Sequence, residues 1–270
     1  MRTRLLPLAL SAGLAPLALG SCVEAPPTIA VDCFTALDPM NCSQGLKSSC
    51  ERIATSGVFD VALFTDLKDP MDQSKFIVPP GVFSSGTGGY TVFPVVSNHL
   101  HTTAQMGNVN GLDMQLKSFD VTLKPGPNAK PTNFPALLNN KHFVVGTNSA
   151  VLQPDSKNLH VADVVVIPAS ILSDAEVGRK VLDAGFDGLP VIAELRPIAV
   201  QAGSEVKGPV ATFSILLVSG RLYSVSDCPA DGVDQTATST GCILGQDLSS
   251  TCCRLNGSIV CGKAVPAKKQ

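Results

Sequence analysis

The chain has 270 residues, of which 44% are hydrophobic, 16% charged and 5% aromatic, with nine Cys and no Trp. Its charged fraction lies below the roughly 25% that is typical of globular proteins, and this composition excludes a disordered or highly charged chain. The formal net charge is −2, and Lys and Arg are scattered along the sequence. No basic surface that would neutralise phosphates is expected, which excludes nucleic acid as a partner.

The N-terminus has the pattern of an export signal. Arg2 and Arg4 form a positively charged start, an apolar stretch runs from Leu5 to Leu19, and Gly20-Ser21 supply the small residues that a signal peptidase needs. The apolar stretch is short and contains two Pro, so it is not expected to cross a membrane as a stable helix. Residues 1–21 are therefore predicted to be a signal peptide.

The end of this signal carries a family resemblance. Leu19-Gly20-Ser21-Cys22 resembles the lipobox of bacterial lipoproteins, in which the Cys becomes the first mature residue and is acylated on its thiol and amine. The resemblance implies diacylglycerol and palmitate on Cys22, and several acyl chains anchor stably at about 0.8 kcal/mol per buried methylene. Val23, rather than Asp, follows Cys22, which by resemblance to lipoprotein sorting predicts the outer membrane of a Gram-negative bacterium. The alternative is an ordinary secretory signal, with Cys22 in a disulfide.

The other eight Cys form two groups. Three lie near the front of the mature chain and five near its end: Cys33, Cys42 and Cys50, and Cys228, Cys242, Cys252, Cys253 and Cys261. An even number in an exported protein indicates disulfides, whereas zinc binding would need paired Cys-x2-Cys spacing or a nearby His, and neither occurs. Because three and five are both odd, at least one bond must join the groups if all eight Cys are oxidised.

The body between the two Cys groups is predicted to be mainly β. Alternating or β-branched runs bounded by Gly, Pro or Asn occur at Phe59–Leu63, Tyr90–Val96, Phe143–Gly146, Leu159–Ile167, Val191–Val200 and Val210–Val218. This pattern favours an antiparallel β-sandwich (immunoglobulin-like) with one short helix and a disulfide-bonded Cys-rich C-terminal segment. The predicted divisions are the signal at 1–21, lipidated Cys and tether at 22–32, sandwich body at 33–225 and Cys-rich segment at 226–270.

Two local features are specific enough to place. Met114 and Leu116 alternate in one phase and Phe119 and Val121 in the opposite phase, which predicts a β-bulge near Lys117-Ser118.

The one helix is predicted to begin at Ser173 as N-cap, with Glu176 as its capping-box partner.

That helix is expected to end at Gly185, a residue that can adopt the left-handed conformation of a helix stop.

The Cys-rich segment contains a predicted hairpin. Asn256-Gly257 is the preferred pair for a two-residue type I′ turn, and strand-compatible residues flank it. That turn places Leu255 opposite Ser258 and Cys252 opposite Cys261. The two Cys then form a non-hydrogen-bonded pair with Cα atoms roughly 4.5 to 5.5 Å apart, within disulfide range. We therefore predict a Cys252–Cys261 disulfide; a bulged alternative would pair Cys253 with Cys261.

Few residues suggest a reaction. His99 and His101 are two apart at a predicted strand end and could share a metal, but no acidic or thiol ligand is fixed nearby, so two polar residues at a strand end are favoured. Ser204-Glu205-Val206-Lys207 matches a Ser-x-x-Lys motif without its helix, and Gly86-Thr87-Gly88-Gly89 precedes a strand rather than a helix, which indicates a turn. No catalytic residue, metal site or cofactor is assigned.

A second resemblance involves the C-terminal third. With the lipobox, the late strand at Val210–Val218 and the residues Gly241-Cys242-Ile243-Leu244-Gly245-Gln246-Asp247 followed by Cys252-Cys253, the chain resembles uncharacterised Cys-containing lipoproteins of Gram-negative soil bacteria. This resemblance implies location and architecture rather than a mechanism. The predicted function is a non-catalytic, membrane-anchored envelope lipoprotein that binds a protein or glycan partner; the alternative is a periplasmic or surface hydrolase with an unrecognised active site.

Overall fold

β-Strands make up most of the described chain. The computed structural model describes residues 28–36, 50, 52–63, 68–69, 72–76, 89–100, 112–129, 134–156, 158–227, 233–234, 246–247, 250–255, 258–261 and 263–264. Side chains are described in 28–36, 50, 52–62, 89–100, 112–129, 134–156, 158–222 and 246–247.

The elements follow one another as strands with two helices in the second half. The strands are β1 (Ile29–Thr35), β2 (Ser56–Asp60), β3 (Lys68–Asp69), β4 (Asp72–Phe76), β5 (Gly89–Asn98), β6 (Met114–Pro125), β7 (Lys141–Leu152), β8 (His160–Val161), β9 (Val164–Pro168), β10 (Leu189–Gln201), β11 (Ser204–Lys207), β12 (Ala211–Val218), β13 (Tyr223–Asp227), β14 (Val233–Asp234), β15 (Ser250–Leu255), β16 (Ser258–Cys261) and β17 (Lys263–Ala264). The helices are α1 (Ala169–Leu172) and α2 (Ala175–Asp183).

Two main sheets carry the fold. The smaller has β5 at its centre, with β1 on one side and β8 and β9 on the other. The larger has the order β2-β12-β10-β6-β7, with β11 extending the hairpin from β10. The chain is therefore mainly β, as the sequence predicts. Since β1 starts at Ile29, strand structure already begins within the segment predicted as a tether.

The antiparallel expectation is wrong for two pairs. β2 lies parallel to β12, with Ser56 opposite Ser214 and Asp60 opposite Val218. β13 also lies parallel to β15. Parallel neighbours need a long crossover, and here about half the chain separates β2 from β12, so no local pattern could reveal this pairing.

One core joins the two main sheets. It includes fully buried side chains from the smaller sheet, such as Tyr90 and Val96, and from the larger, such as Phe119, Leu195 and Leu217. Alternation along β6 explains this burial because every second residue faces inward.

The bulge prediction in β6 is confirmed. Met114, Leu116, Phe119 and Val121 are all buried, and the β6–β10 register shifts by one residue between Leu116 and Ser118. The extra residue at Lys117 returns the later side chains to the core face.

Two sequence predictions about the helix are corrected, the number of helices and the N-cap residue. There are two described α-helices rather than one, and the N-cap of α2 is Asp174, whose carboxylate accepts from the N–H groups of Glu176 and Val177. Ser173 cannot fill that role because it is the C-cap of α1 and has helical dihedral angles. Gly185 does follow the helix with a φ of +61°, as predicted.

The strand predicted at Phe59–Leu63 lies three residues closer to the N-terminus, at Ser56–Asp60. β2 ends at Asp60, and residues Val61–Leu63 form a 3₁₀ turn. The Asp60 carboxylate accepts from the Ala62 N–H at 3.1 Å, which stabilises a local turn at the expense of the extended conformation.

Candidate functional site

The sequence-predicted site residues lie only partly within the described chain. Cys22 and His101 lie outside the described residues, so the lipid anchor stays a prediction. No described helix is long and apolar enough to span a bilayer.

The β15–β16 register places Cys252 opposite Cys261 and Leu255 opposite Ser258, which confirms the predicted register. The side chains of these strands lie outside the described set, so the disulfide itself stays a prediction.

A disulfide is present in the front Cys group. Cys33 of β1 and Cys50 are bonded, with a Cα–Cα separation of 6.1 Å. In the chain-entropy model, a loop of this size stabilises the fold by about 3 kcal/mol. The bond leaves Cys42 as the remaining front Cys, which keeps the parity argument for a bond to the back group.

A polar cluster surrounds His99 where β5 ends. His99 Nε2 lies 2.8 Å from Asp32 Oδ1 and 2.9 Å from Ser97 Oγ, and Ser97 Oγ donates to Asp32 Oδ2 at 2.5 Å. On the other side of the ring, Ser156 Oγ lies 3.4 Å from His99 Nδ1. We call Asp32, Ser97, His99 and Ser156 the histidine cluster.

The backbone of β1 aims Asp32 at His99. Its pairing with β5 shifts by one residue between Val31 and Cys33, so Asp32 is the extra residue of a β-bulge. Bulges redirect side chains and are enriched beside active sites. His99 is recognisable from the sequence, but its acidic partner is not, because no local sequence pattern reveals a bulge in the pairing of two distant strands.

Asn98 fixes the other half of the histidine cluster. Its fully buried side-chain amide donates to the backbone carbonyl oxygens of Leu112 and Leu152. Its backbone carbonyl oxygen accepts from the Ser156 N–H at 2.9 Å. The turn that holds Ser156 is strained, because Asp155 and Ser156 have φ values of +60° and +51°. A non-Gly residue in this conformation costs on the order of 1–2 kcal/mol, and such strain is concentrated at functional sites.

A second candidate lies on the outer face of the larger sheet. A depression of about 190 Å³ opens there, lined by Asp120, Thr122, His142, Glu194, Arg196 and Val210. These residues meet because Glu194 and Arg196 of β10 pair with Thr122 and Asp120 of β6, and Thr122 pairs with His142 of β7. We call this the sheet-face depression.

The charges of the sheet-face depression are unevenly paired. Glu194 contacts Lys124 at 2.7 Å, whereas Asp120 contacts His142 at 3.6 Å and Lys207 at 3.8 Å. Arg196 is exposed and has no ion-pair partner among the described residues. Among the described residues that line the depression, Arg196 is therefore a guanidinium without an ion-pair partner, beside carboxylates that contact Lys124 and Lys207.

Asp60 is a buried acid with a structural role. Its carboxylate accepts from the backbone N–H groups of Ala62, Gly220, Arg221 and Leu222 at 2.6 to 3.1 Å. Burial raises the pKa of Asp60, although the four hydrogen bonds oppose that rise. This carboxylate is saturated with donors from the protein, so it is a loop anchor rather than a reactive group.

Gln246 and Asp247 join the two sheets from the C-terminal segment. The Gln246 backbone bridges to Phe59 of β2, while its side-chain amide donates to the Thr91 carbonyl at 2.6 Å and accepts from the Thr91 N–H at 3.1 Å. Asp247 accepts from the Val58 N–H and from the Tyr90 hydroxyl. We call these two residues the C-terminal clasp.

Asp247 of the clasp interacts with a second ionisable group, the buried hydroxyl of Tyr90. Burial raises the pKa of Asp247, and burial with the neighbouring Asp247 charge raises the pKa of Tyr90 well above its usual value. Tyr90 therefore stays protonated and donates its hydrogen to the carboxylate. Both partners are used within the fold, which makes the clasp structural.

The structure gives no catalytic role to the other sequence candidates that it describes. Ser204–Lys207 forms strand β11, not a helix, and Lys207 contacts Glu205 and Asp120, so the Ser-x-x-Lys pattern has no catalytic geometry. Gly89 begins β5, and residues 86–88 lie outside the described chain. Within the part of the chain that the structure describes, no group of three or more His, Cys, Asp or Glu could hold a metal.

Comparison of the chain with protein-family models, curated proteins and solved structures finds no match.

Proposed function

We propose that the protein is a membrane-anchored envelope lipoprotein that binds a protein partner through the sheet-face depression. The lipobox resemblance at Cys22 supports lipid attachment, and Val23 supports the outer membrane. We also propose that the sandwich is immunoglobulin-like, a type of domain that commonly presents surfaces for binding. Binding at this surface requires no catalytic group.

The exposed Arg196 is the observation that carries this proposal. A guanidinium presents N–H donors in a planar fork that matches a carboxylate, and here the nearby carboxylates of Glu194 and Asp120 contact lysines. An acidic side chain on the partner would complete the charge pattern. Two exposed valines add apolar area to this surface. Val210, at 43%, lines the depression, and Val144, at 58%, lies opposite Asp120 in the β6–β7 ladder.

The chemistry of the lining favours a protein over a glycan. None of the residues that line the sheet-face depression is Phe, Tyr or Trp, whereas sugar sites commonly use these side chains as stacking surfaces. The mixture of Asp, Glu, Arg and His instead resembles the polar rim of a protein interface. A shallow sheet face also suits a partner surface better than an enclosed small molecule.

Site-specific photo-cross-linking in intact envelopes tests this proposal. A cross-linking residue at Val210 should capture one acidic partner, and Arg196→Ala should reduce the yield about tenfold, because charge-assisted contacts contribute about 1.5 kcal/mol or more. The same residue at Phe186, which is 90% exposed in the turn after α2, is the control and should capture nothing specific.

Equal capture from positions 210 and 186, or capture that is unaffected by Arg196→Ala, would show that this surface is not the binding site.

A further inference from the structure

We propose that Ser156, His99 and Asp32 form a serine esterase site, with Ser156 as nucleophile, His99 as general base and Asp32 as the residue that positions the imidazole. The histidine cluster lies at the end of β5 in the smaller sheet, whereas the proposed binding surface lies on the larger sheet. The inference thus adds an activity to the binding function and stands on separate residues.

The hydrogen bonds define which nitrogen can accept a proton. A carboxylate can only accept, so the 2.8 Å contact with Asp32 Oδ1 places the ring hydrogen on His99 Nε2. In the neutral ring Nδ1 then has a free electron pair, and Ser156 Oγ lies 3.4 Å from it. The same hydroxyl lies 3.5 Å from the backbone carbonyl oxygen of Asn98, so it can donate either to that oxygen or to Nδ1. Asp32 and Ser156 therefore contact opposite nitrogens of one imidazole, which is the arrangement that a general base requires.

Ser97 cannot be the nucleophile, although it is closer to the ring. It is fully buried, and its hydroxyl donates to Asp32 Oδ2 at 2.5 Å. Its role is to hold the carboxylate in place. Ser156 is only half-buried, so a substrate can reach its hydroxyl.

The strained turn supports a reactive role for Ser156. Its φ of +51° puts a non-Gly residue in the left-handed region, and nucleophilic Ser residues often lie on such sharp turns. Its N–H donates to the Asn98 carbonyl at 2.9 Å, and the Asp155 N–H donates to the Leu100 carbonyl at 2.7 Å. These bonds preorganise the turn beside His99.

The reaction is the transfer of an acyl group to water in two steps. His99 Nδ1 takes the proton from Ser156 Oγ as the oxygen attacks the ester carbonyl, and the same proton then passes to the departing alcohol. Water hydrolyses the acyl-serine by the reverse proton transfers and releases the carboxylic acid. No oxidant, reductant or metal is needed.

The surroundings indicate the substrate class. The described side chains in hydrogen-bonding contact with His99 are Asp32, Ser97 and Ser156, all polar, and the His99 side chain is 43% exposed. A polar, open site suits a short acyl ester presented by a larger molecule, because a long acyl chain needs an apolar slot. An ester is also favoured over an amide as the substrate, because an alcohol is a better leaving group than an amine.

A fluorophosphonate probe and p-nitrophenyl acetate, applied to the full chain, test the site. The probe should attach to Ser156, and Ser156→Gly should abolish attachment and lower kcat/KM for the ester at least about 100-fold. Glycine tolerates the left-handed backbone, so this variant keeps its fold, which circular dichroism can verify. Ser170→Ala, at an exposed Ser of α1, is the matched control and should behave like the wild type.

Asp32→Asn distinguishes positioning from a structural role. It should lower kcat at least about 100-fold with little change in KM, because an amide no longer fixes the ring hydrogen on Nε2. Probe attachment elsewhere than Ser156, or ester turnover that survives Ser156→Gly, would overturn the inference. Neither result would affect cross-linking from Val210, so the two proposals fail independently.

Discussion

Gly57 shows how a single missing side chain lets two sheets meet. A Cβ built at Gly57 would overlap the hydroxyl of Tyr90, which hydrogen-bonds to Asp247 at 3.1 Å. The absence of a side chain at this position is therefore what allows the clasp to close.

We predict that Gly57→Ala destabilises the protein by about 2 kcal/mol or more, because the buried Tyr90 would have to move and its hydroxyl would lose the hydrogen bond to Asp247. Gly146→Ala is the matched control, since a Cβ there meets no atom within 4 Å. The control should be neutral or stabilise the strand by up to roughly 1 kcal/mol. Urea unfolding of both variants measures the difference, and equal stabilities would contradict this account of Gly57.

Asp60 provides a second prediction at this scale. Asp60→Asn keeps the shape but replaces one acceptor oxygen with an N–H₂ group that faces backbone donors, such as the Arg221 and Leu222 N–H groups at 2.6 and 2.8 Å. We expect a loss of about 1–3 kcal/mol in unfolding free energy. Asp183→Asn, at the exposed end of α2, should change it by less than about 0.5 kcal/mol. A neutral Asp60→Asn would rule out the anchoring role.

Among the elements, the β15–β16 hairpin is the one whose register local sequence determined fully. The sequence predicts a two-residue turn at Asn256-Gly257, and β15 and β16 pair in the register that such a turn requires, with Cys252 opposite Cys261. Cys253 lies opposite Val260 in the same ladder.

We predict a Cys252–Cys261 disulfide from this register. Peptide mapping without reduction, with sequential degradation between Cys252 and Cys253, identifies which of the two is bonded. Finding Cys253 joined to Cys261 would refute the assignment. The Cys33–Cys50 bond serves as an internal standard, since the same digest should recover it.

For the whole molecule, the Cys33–Cys50 bond sharpens the parity argument. With those two residues paired, full oxidation requires Cys42 to bond to a Cys of the back group. The clasp places Gln246 and Asp247, four residues and more after Cys242, against β2 and β5 of the two main sheets.

Cleavage of the denatured chain between residues 51 and 227 should therefore give one band without reductant and two with it. Cys42→Ser should release two fragments even without reductant, whereas Cys33→Ser with Cys50→Ser should leave them joined. Separation of the wild-type fragments without reductant would show that the groups are not linked.

Membrane attachment is also a property of the whole chain. We predict that Cys22→Ser releases soluble protein or leaves an uncleaved precursor, because the acyl chains on Cys22 are the proposed anchor. Fractionation of cells labelled with palmitate measures this. Cys33→Ser is the control and should still be labelled and membrane-bound; label in Cys22→Ser would exclude the lipid anchor at that residue.

The sequence by itself determined the features that depend on neighbouring residues. Strand alternation predicted a mainly β chain, opposed phases predicted the β6 bulge, and Asn256-Gly257 predicted the β15–β16 register, because each signal lies within about a dozen residues. The helix was found but its N-cap was misplaced by one residue, since Ser173 and Asp174 are both good caps and only α1 decides between them.

Only the tertiary structure decided which residues far apart in the sequence contact one another. The parallel β2–β12 pair, the contact of Asp32 with His99 and the sheet-face depression all join segments far apart in the chain. The sequence around His99 predicts only a polar residue at a strand end, because its partners, Asp32 and Ser156, lie 67 and 57 positions away. A bulge in β1 and a turn tied to Asn98 bring them together, and such long-range placement depends on how the sheets pack.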